Sequence, residues 1–275
     1  VREGAGGGGA GAVRGPAREQ VRSWRPAVPG IAEVLHARFT RHAYPMHVHA
    51  TWTVLLVDEG AVRYDLDRRH RGALGSAVTL LPPHVPHDGR AATGAGFRKR
   101  VLYLEPGALP ERLAGAAVDE PALPDPALHR AVAALHAALA LPGEELEAAG
   151  RAALLVAELH RQLAGRAPLP VRRDAPLAGR LRELLDAHVV QGLALRRAAE
   201  ELGAAPAHLV RCFGREFGMP PHAYLTARRV DLARELLLAG RRPAEAAVLA
   251  GFHDQSHLTR HFRRVLGVTP GRFTA

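Results

Sequence analysis

The sequence predicts a two-domain α+β chain: an N-terminal β-barrel with trailing helices, followed by an all-α domain of two helix-turn-helix units. Three observations carry this reading. The last third of the chain contains one pattern twice, Ile31 to Leu104 is a series of short apolar runs parted by turns, and residues 126–165 carry apolar side chains at helical spacing.

The duplication is the firmest of the three. Its first copy runs Ala199-x-x-x-Gly203, His208-Leu209-x-Arg211-x-Phe213, Gly218, Pro221 and Tyr224. Its second runs Ala247-x-x-x-Gly251, His257-Leu258-x-Arg260-x-Phe262, Gly267, Pro270 and Phe273. From the histidine onward the pairs are 49 residues apart (257 against 208), whereas the Ala and Gly pairs are 48 apart (251 against 203). In each copy the small Ala lets a second helix cross closely, and the Gly supplies the positive φ that ends the first helix. The second helices are expected to open at Pro206 and at Asp254, residues suited to N1 and N-cap positions.

Leu209, Cys212, Phe213 and Phe217 then share one face, as do Leu258, Phe262, Val265 and Leu266. The outward face carries Ala207, Arg211 and Arg215 in the first copy and Ser256, Arg260, Arg263 and Arg264 in the second. A helix with an apolar back and an arginine-bearing front suits the DNA major groove. A lone copy reads equally well as an ordinary helical hairpin. Two copies joined by one helix over Pro221 to Leu238, with Leu225, Val230, Ala233 and Leu237 as its buried stripe, do not.

Over about its last 100 residues the chain resembles the AraC/XylS-type transcription regulators. The resemblance rests on Gly251-Phe252-His253-Asp254-Gln255-Ser256-His257-Leu258-Thr259-Arg260-His261-Phe262-Arg263-Arg264 and on Gly267-Val268-Thr269-Pro270-Gly271-Arg272-Phe273. It implies base contacts from Ala207, Val210 and Arg211 in the first reading helix and from Gln255, Ser256 and Arg260 in the second. Thr259 lies on the same DNA-facing side, and Arg215, Arg263 and Arg264 complete the set. Ala207 and Val210 cannot hydrogen-bond a base edge, which leaves the first helix with Arg211 and thymine-methyl contacts. Arg263 and Arg264 lie farther along and are expected to meet phosphates. The resemblance further implies double-stranded promoter DNA, a small-molecule effector, a second copy of the chain and RNA polymerase as partners.

In the N-terminal part, Thr51–Val57, Ala61–Leu66, Ala77–Leu81 and Arg100–Leu104 read as strands of a small barrel or jelly roll. Within it lie Pro45-Met46-His47-Val48-His49 and Pro82-Pro83-His84-Val85-Pro86-His87. This is similar to the cupin barrel that forms the effector-binding half of many AraC-type regulators. Two residues apart on a strand, His47 and His49 project from one face, and with His87 they match three ligand positions of metal-binding cupins. The usual fourth, a Glu, is replaced by Thr53 or Val54. Three imidazoles can hold a metal with one open position, or they can line a ligand pocket. Pocket lining is the reading adopted, with no metal, cofactor or catalytic residue assigned.

Residues 126–165 carry the stripes Leu128, Val132, Leu135, Leu139 and Ala152, Val156, Leu159, Leu163, parted by Pro142-Gly143. Such helices can cover the barrel, and the family resemblance makes them the dimer contact. The expected organisation is a Gly-rich disordered leader at 1–20, the cupin-like barrel at 21–125, the helical dimerisation segment at 126–165, a linker at 166–175 and the DNA-binding domain at 176–275.

Composition supports this without deciding it. The formal charge is +10, but Arg supplies 36 of the 37 basic residues (Lys99 is the exception), so raw arginine number says little. From residue 176 to the end 15 Arg face 9 Asp and Glu, a polyanion-binding footprint. Cys212 is the only cysteine, which excludes an intrachain disulfide and fits a reducing, cytoplasmic setting. No apolar run reaches membrane-spanning length. The expectation is a non-enzymatic, sequence-specific DNA-binding regulator that senses a small molecule. Its rivals are a metal-dependent cupin enzyme with a DNA-binding tail and a sequence-indifferent architectural DNA binder.

Overall fold

The computed structural model describes residues 19–40, 43–67, 69–73, 77–165, 174–266 and 268–273. Most of the Gly-rich leader (1–18) and of the linker (166–173) lie outside the described residues.

The N-terminal domain contains β1 (Gln20–Trp24), β2 (Ile31–Phe39), β3 (Tyr44–His47), β4 (Trp52–Gly60), β5 (Val62–Leu66), β6 (Arg69–Ala73), β7 (Val78–Leu81), β8 (His87–Ala91) and β9 (Phe97–Leu104). After these come a short helix α1 (Ala114–Asp119) and the two-residue β10 (Ala122–Leu123). Two antiparallel sheets face each other, one ordered β1-β2-β9-β4-β7-β10 and the other β3-β8-β5-β6. The expected strand at 51–57 extends to Gly60, where a φ of 74° turns the chain into β5. An added Cβ at Gly60 would sit 2.2 Å from the Gly96 carbonyl oxygen, so only glycine fits that corner.

Alternation along β4 assigns its side chains to two cores. Trp52, Val54 and Leu56 pack with Leu102, Leu104, Leu128 and Leu155, whereas Leu55 and Val57 point between the sheets with Tyr64, Leu66 and Val101. The first core is closed by α2 (Pro126–Leu139) and α3 (Glu145–Leu163), whose stripes Leu128, Val132, Leu135 and Ala152, Leu155, Leu159 are buried on the six-stranded sheet. Asp125 caps α2 by accepting the Ala127 and Leu128 amides at 2.7 and 3.3 Å.

The C-terminal domain is all helical: α4 (Ala175–Ala187), α5 (Leu195–Leu202), α6 (Pro206–Phe217), α7 (Pro221–Leu238), α8 (Pro243–Leu249), α9 (Gln255–Leu266) and α10 (Pro270–Phe273). The duplication is visible in its backbone bonds. The Ala204 amide donates to the Ala199 carbonyl at 3.0 Å after α5, and the equivalent Phe252 amide donates to Ala247 at 2.9 Å after α8. Gly203 and Gly251 take φ of 62° and 81° at these turns.

A helix spans Pro221–Leu238 as expected, with Leu225, Val230, Ala233 and Leu237 buried. Its first half belongs to the core of α4, α5 and α6 and its second half to the core of α8 and α9, so α7 ties the two units together. It is also held to α4 by the Tyr224 hydroxyl and Arg228, both donating to Asp186 at 2.9–3.0 Å. Val265, expected on the inner face of α9, is 54% exposed instead, while Leu258, Phe262 and Leu266 pack into the core shared with α7.

Candidate DNA-reading surface and ligand chamber

The two reading helices stand at equivalent places in their units. Asp254 caps α9, its Oδ1 accepting the His257 amide at 2.6 Å, and this fixes which side chains face out. Gln255, Ser256, Arg260, Arg263 and Arg264 are exposed, and Thr259 is half-buried beside them. On α6, Arg211 and Arg215 are exposed, and Cys212 is buried as a small core residue with its thiol on the Leu209 carbonyl.

Ala207 and Val210 depart from the outward position expected for them. They are 8% and 7% exposed, on a helix packed between α4 of its own domain and α3 of the N-terminal domain. At Gly150 on α3 an added Cβ would touch Val210 Cγ2 at 3.6 Å. The expected dimer segment is thus engaged within its own chain: α3 presents one face to the barrel and, through Leu146, another to the core of α4–α7.

This seam reaches the second reading helix through Glu144, the residue before α3. Its Oε1 accepts from Arg260 Nη2 at 2.8 Å and from His261 Nε2 at 2.7 Å, with His257 Nε2 at 3.8 Å. Glu144, His257 and His261 are all buried. Although burial opposes its charge, the His261 and Arg260 hydrogen bonds hold the Glu144 carboxyl down at about 2. Burial lowers His257 to about 4, so its ring is neutral at pH 7.

Three donor atoms lie close enough here to hold a metal ion, but the ring chemistry opposes it. His257 Nδ1 accepts the His253 amide at 3.2 Å, which leaves the proton on Nε2, whereas a metal-ligating His donates its other nitrogen. The cluster is a carboxylate among donors. Gly143 permits it: at φ 83° an added Cβ would lie 2.2 Å from the His257 ring.

The three histidines of the barrel do come together. His47 and His87 rings lie 4.5 Å apart, His47 and His49 4.9 Å, and His49 and His87 5.2 Å. His47 and His87 pair across β3 and β8, while His49 lies past the end of β3 rather than on it. His47 Nδ1 donates to the Pro45 carbonyl at 2.7 Å and His87 Nδ1 to the Val85 carbonyl at 3.0 Å. A carbonyl only accepts, so both rings carry their proton on Nδ1 and turn the Nε2 lone pair elsewhere. Burial, with the neighbouring imidazoles and Lys99, lowers His49 to about 4, and burial lowers His87 as well. Such a set can accept hydrogen bonds from a ligand or hold a divalent cation. Thr53 occupies the chamber side of β4, where a fourth, anionic ligand would stand, and Val54 points into the other core.

The histidines rim a chamber between the sheets, lined also by Tyr44, Thr53, Tyr64, Lys99 and Tyr103. Sequence reasoning missed Lys99, Tyr44 and Tyr103 as lining residues, and Glu144 as the seam residue. Lys99 did carry a signal, being the sole lysine of the chain. Glu144 carried none, because only the docking of two domains gives it a partner.

Among the described residues, no helix is long and apolar enough to cross a membrane. Comparison with known proteins matches both halves. Residues 30–164 match the family described as AraC-like ligand binding domain, and residues 198–275 match a helix-turn-helix domain family. The virulence regulon transcriptional activator VirF of Yersinia enterocolitica is 34% identical over 94 residues, 34% of this chain and 35% of that protein. The HTH-type transcriptional regulator ExsA of Pseudomonas aeruginosa is 32% identical over 94 residues, 34% of each chain. The chain therefore spans about a third of the length of these curated relatives. Among solved structures, the C-terminal domain of AraT, a response regulator from Geobacillus stearothermophilus, is 30% identical, with a TM-score of 0.35 over 38% of this chain and 87% of that one. One sequence thus carries an AraC-like ligand-binding domain at 30–164 and a helix-turn-helix domain at 198–275.

Proposed function

We propose that this protein is a sequence-specific DNA-binding transcription regulator whose barrel senses a small-molecule effector. The observation that carries the reading is the pairing of α6 and α9, equivalent helices of a duplicated unit, on the single helix α7 with arginines exposed on both. Arg211, Gln255, Ser256, Thr259 and Arg260 are the base-facing set, joined by Ala207 and Val210 once α3 withdraws. Arg215, Arg263 and Arg264 meet phosphates.

The seam supports a regulatory cycle. With α3 over α6 and Glu144 on Arg260, the reading surface is restrained by the ligand-binding domain. An effector bound among His47, His49 and His87 favours release, because it differs in affinity between the docked and undocked forms. A second copy of the chain pairs through the 126–165 segment, where Ala127, Ala131 and Ala137 of α2 are exposed. Promoter DNA and RNA polymerase are its partners in the cytoplasm, and no catalytic step is assigned.

The test is selection from random duplex with the full chain. A recovered motif bound at least ~10³-fold better than bulk DNA at physiological salt is expected. Equal affinity for all duplexes would make the chain an architectural binder. The three barrel histidines, each with a ring nitrogen within reach of one common point, favour a second reading, a metal-dependent barrel enzyme. Stoichiometric metal in protein purified without chelator, together with turnover, would favour it.

A further inference from the structure

Lys99 occupies an unusual place for the only lysine in the chain. It stands on β9, where Phe97, Lys99, Val101 and Tyr103 alternate toward the space between the sheets. Its Nζ lies 4.1 Å from the centre of the Tyr44 ring, and among the described residues it forms no ion pair with a carboxylate.

The acids nearest the chamber are committed elsewhere. Asp88 accepts the Asp65 amide at 2.6 Å and Arg90 at 3.1 Å, and Glu33 accepts the Ser23 hydroxyl at 2.6 Å. Burial pulls the Lys99 ammonium down to about 8, so at pH 7 it is still largely charged. A second observation points the same way. Thr53, 5% exposed, lines the chamber with its Oγ1 buried and without a hydrogen-bond partner. A half-buried ammonium without a counter-charge and a buried hydroxyl without a partner both carry a cost that a ligand would relieve.

The opposite requirement comes from His47 and His87. Their Nδ1 protons are used on backbone carbonyls, so they offer lone pairs and take a donor from a ligand. We infer that the chamber binds a small hydroxy-carboxylate. Its carboxylate meets Lys99 Nζ and the Thr53 hydroxyl, and its hydroxyl donates to an imidazole Nε2. The inference rests on the barrel being the sensing site and adds the chemical class of what is sensed.

The experiment uses the full chain and a series from lactate to 4-hydroxybutyrate, each paired with its neutral amide. Binding is followed by titration calorimetry and by thermal shift. At least one hydroxy-carboxylate is expected to bind and stabilise the wild type while its amide does not. Lys99→Met, which keeps the apolar stem, is expected to fold with unchanged or higher Tm and to weaken the carboxylate roughly 10- to 100-fold, the range for a hydrogen bond to a charged group. Lys99→Arg is expected to retain part of the affinity. Preference for carboxylate over amide surviving in Lys99→Met overturns the inference, as does a wild type that binds none of the series at 10 mM. Effector control of DNA binding is scored separately. If a neutral compound binds in the barrel and changes DNA affinity, the sensing role stands and the anionic class falls. If hydroxy-carboxylates bind through Lys99 without changing DNA affinity, the class stands and the sensing role falls.

Discussion

Gly143→Ala should loosen the seam between the domains and tighten DNA binding in the absence of effector. An ideal Cβ at residue 143 would lie 2.2 Å from His257 Cε1 and Nδ1, whereas ordinary contact starts at 3.4 Å. The loop must therefore retreat by more than 1 Å, and that separates Glu144 from α9. The buried Glu144–His261 bond is of a charge-assisted kind contributing ~1.5–3 kcal/mol. Arg260 is 38% exposed, so its pair with Glu144 is discounted to ~1 kcal/mol or less. Loss of both is ~1.5–4 kcal/mol, or roughly 10- to 1000-fold in the ratio of docked to released forms.

Where docking limits reading, the apparent Kd for DNA falls by a similar factor. The φ of 83° adds a cost of ~1–2 kcal/mol for any residue with a Cβ. This cost is paid in both forms and lowers Tm without biasing them. Gly107→Ala, with φ 90° and open space around it, carries the same backbone cost away from the seam and serves as the control. The assay is fluorescence anisotropy of a labelled, selected duplex at 0.15 M salt. Equal DNA affinity for wild type, Gly143→Ala and Gly107→Ala, with matching losses of Tm, would refute the restraint.

Other outcomes follow from the same geometry. Arg260→Ala is expected to relax preference at one base pair per half-site by ~1–3 kcal/mol, with circular dichroism unchanged. Arg264→Ala should weaken all sequences alike and flatten the salt slope by about one unit; a uniform loss from Arg260→Ala would instead make Arg260 a phosphate contact. His47→Ala combined with His49→Ala should leave effector-free DNA affinity unchanged and abolish the effector response, read by anisotropy with and without effector. Burial, then the charges of Arg100 and His36, lowers the fully buried His136 to about 3. The unfolded chain takes up that proton near pH 6.5 and the folded chain does not, so stability falls as pH drops below about 6.5 and continues to fall toward about 3. The loss at pH 5 is about 2 kcal/mol. Thermal melts at pH 7.5 and 5 should show it, and a His136→Leu variant with the same acid slope would disprove the assignment.

Much of this protein is written in local pattern. The repeat placed α5, α6, α8 and α9, because the alanine and glycine that let two helices cross, and the residues that cap them, act within a few positions of each other. Pro206, Asp254 and the Pro221–Leu238 helix stand where propensity and periodicity put them. The grouping of His47, His49 and His87 was legible from residue type, although His49 reaches the group from beyond the end of β3 and not from a shared strand face. What the sequence did not hold was anything set by the meeting of distant surfaces. Strands β1, β3, β6 and β8 are short and mostly polar, and they exist through pairing with β2, β5 and each other rather than through their own alternation. Arginines stand exposed on α6 and α9, but whether Ala207, Val210 and Arg260 face solvent depends also on α3 and Glu144, far away in the chain. Periodicity reports which face of a helix is apolar. Only the tertiary structure decides what lies against the other face.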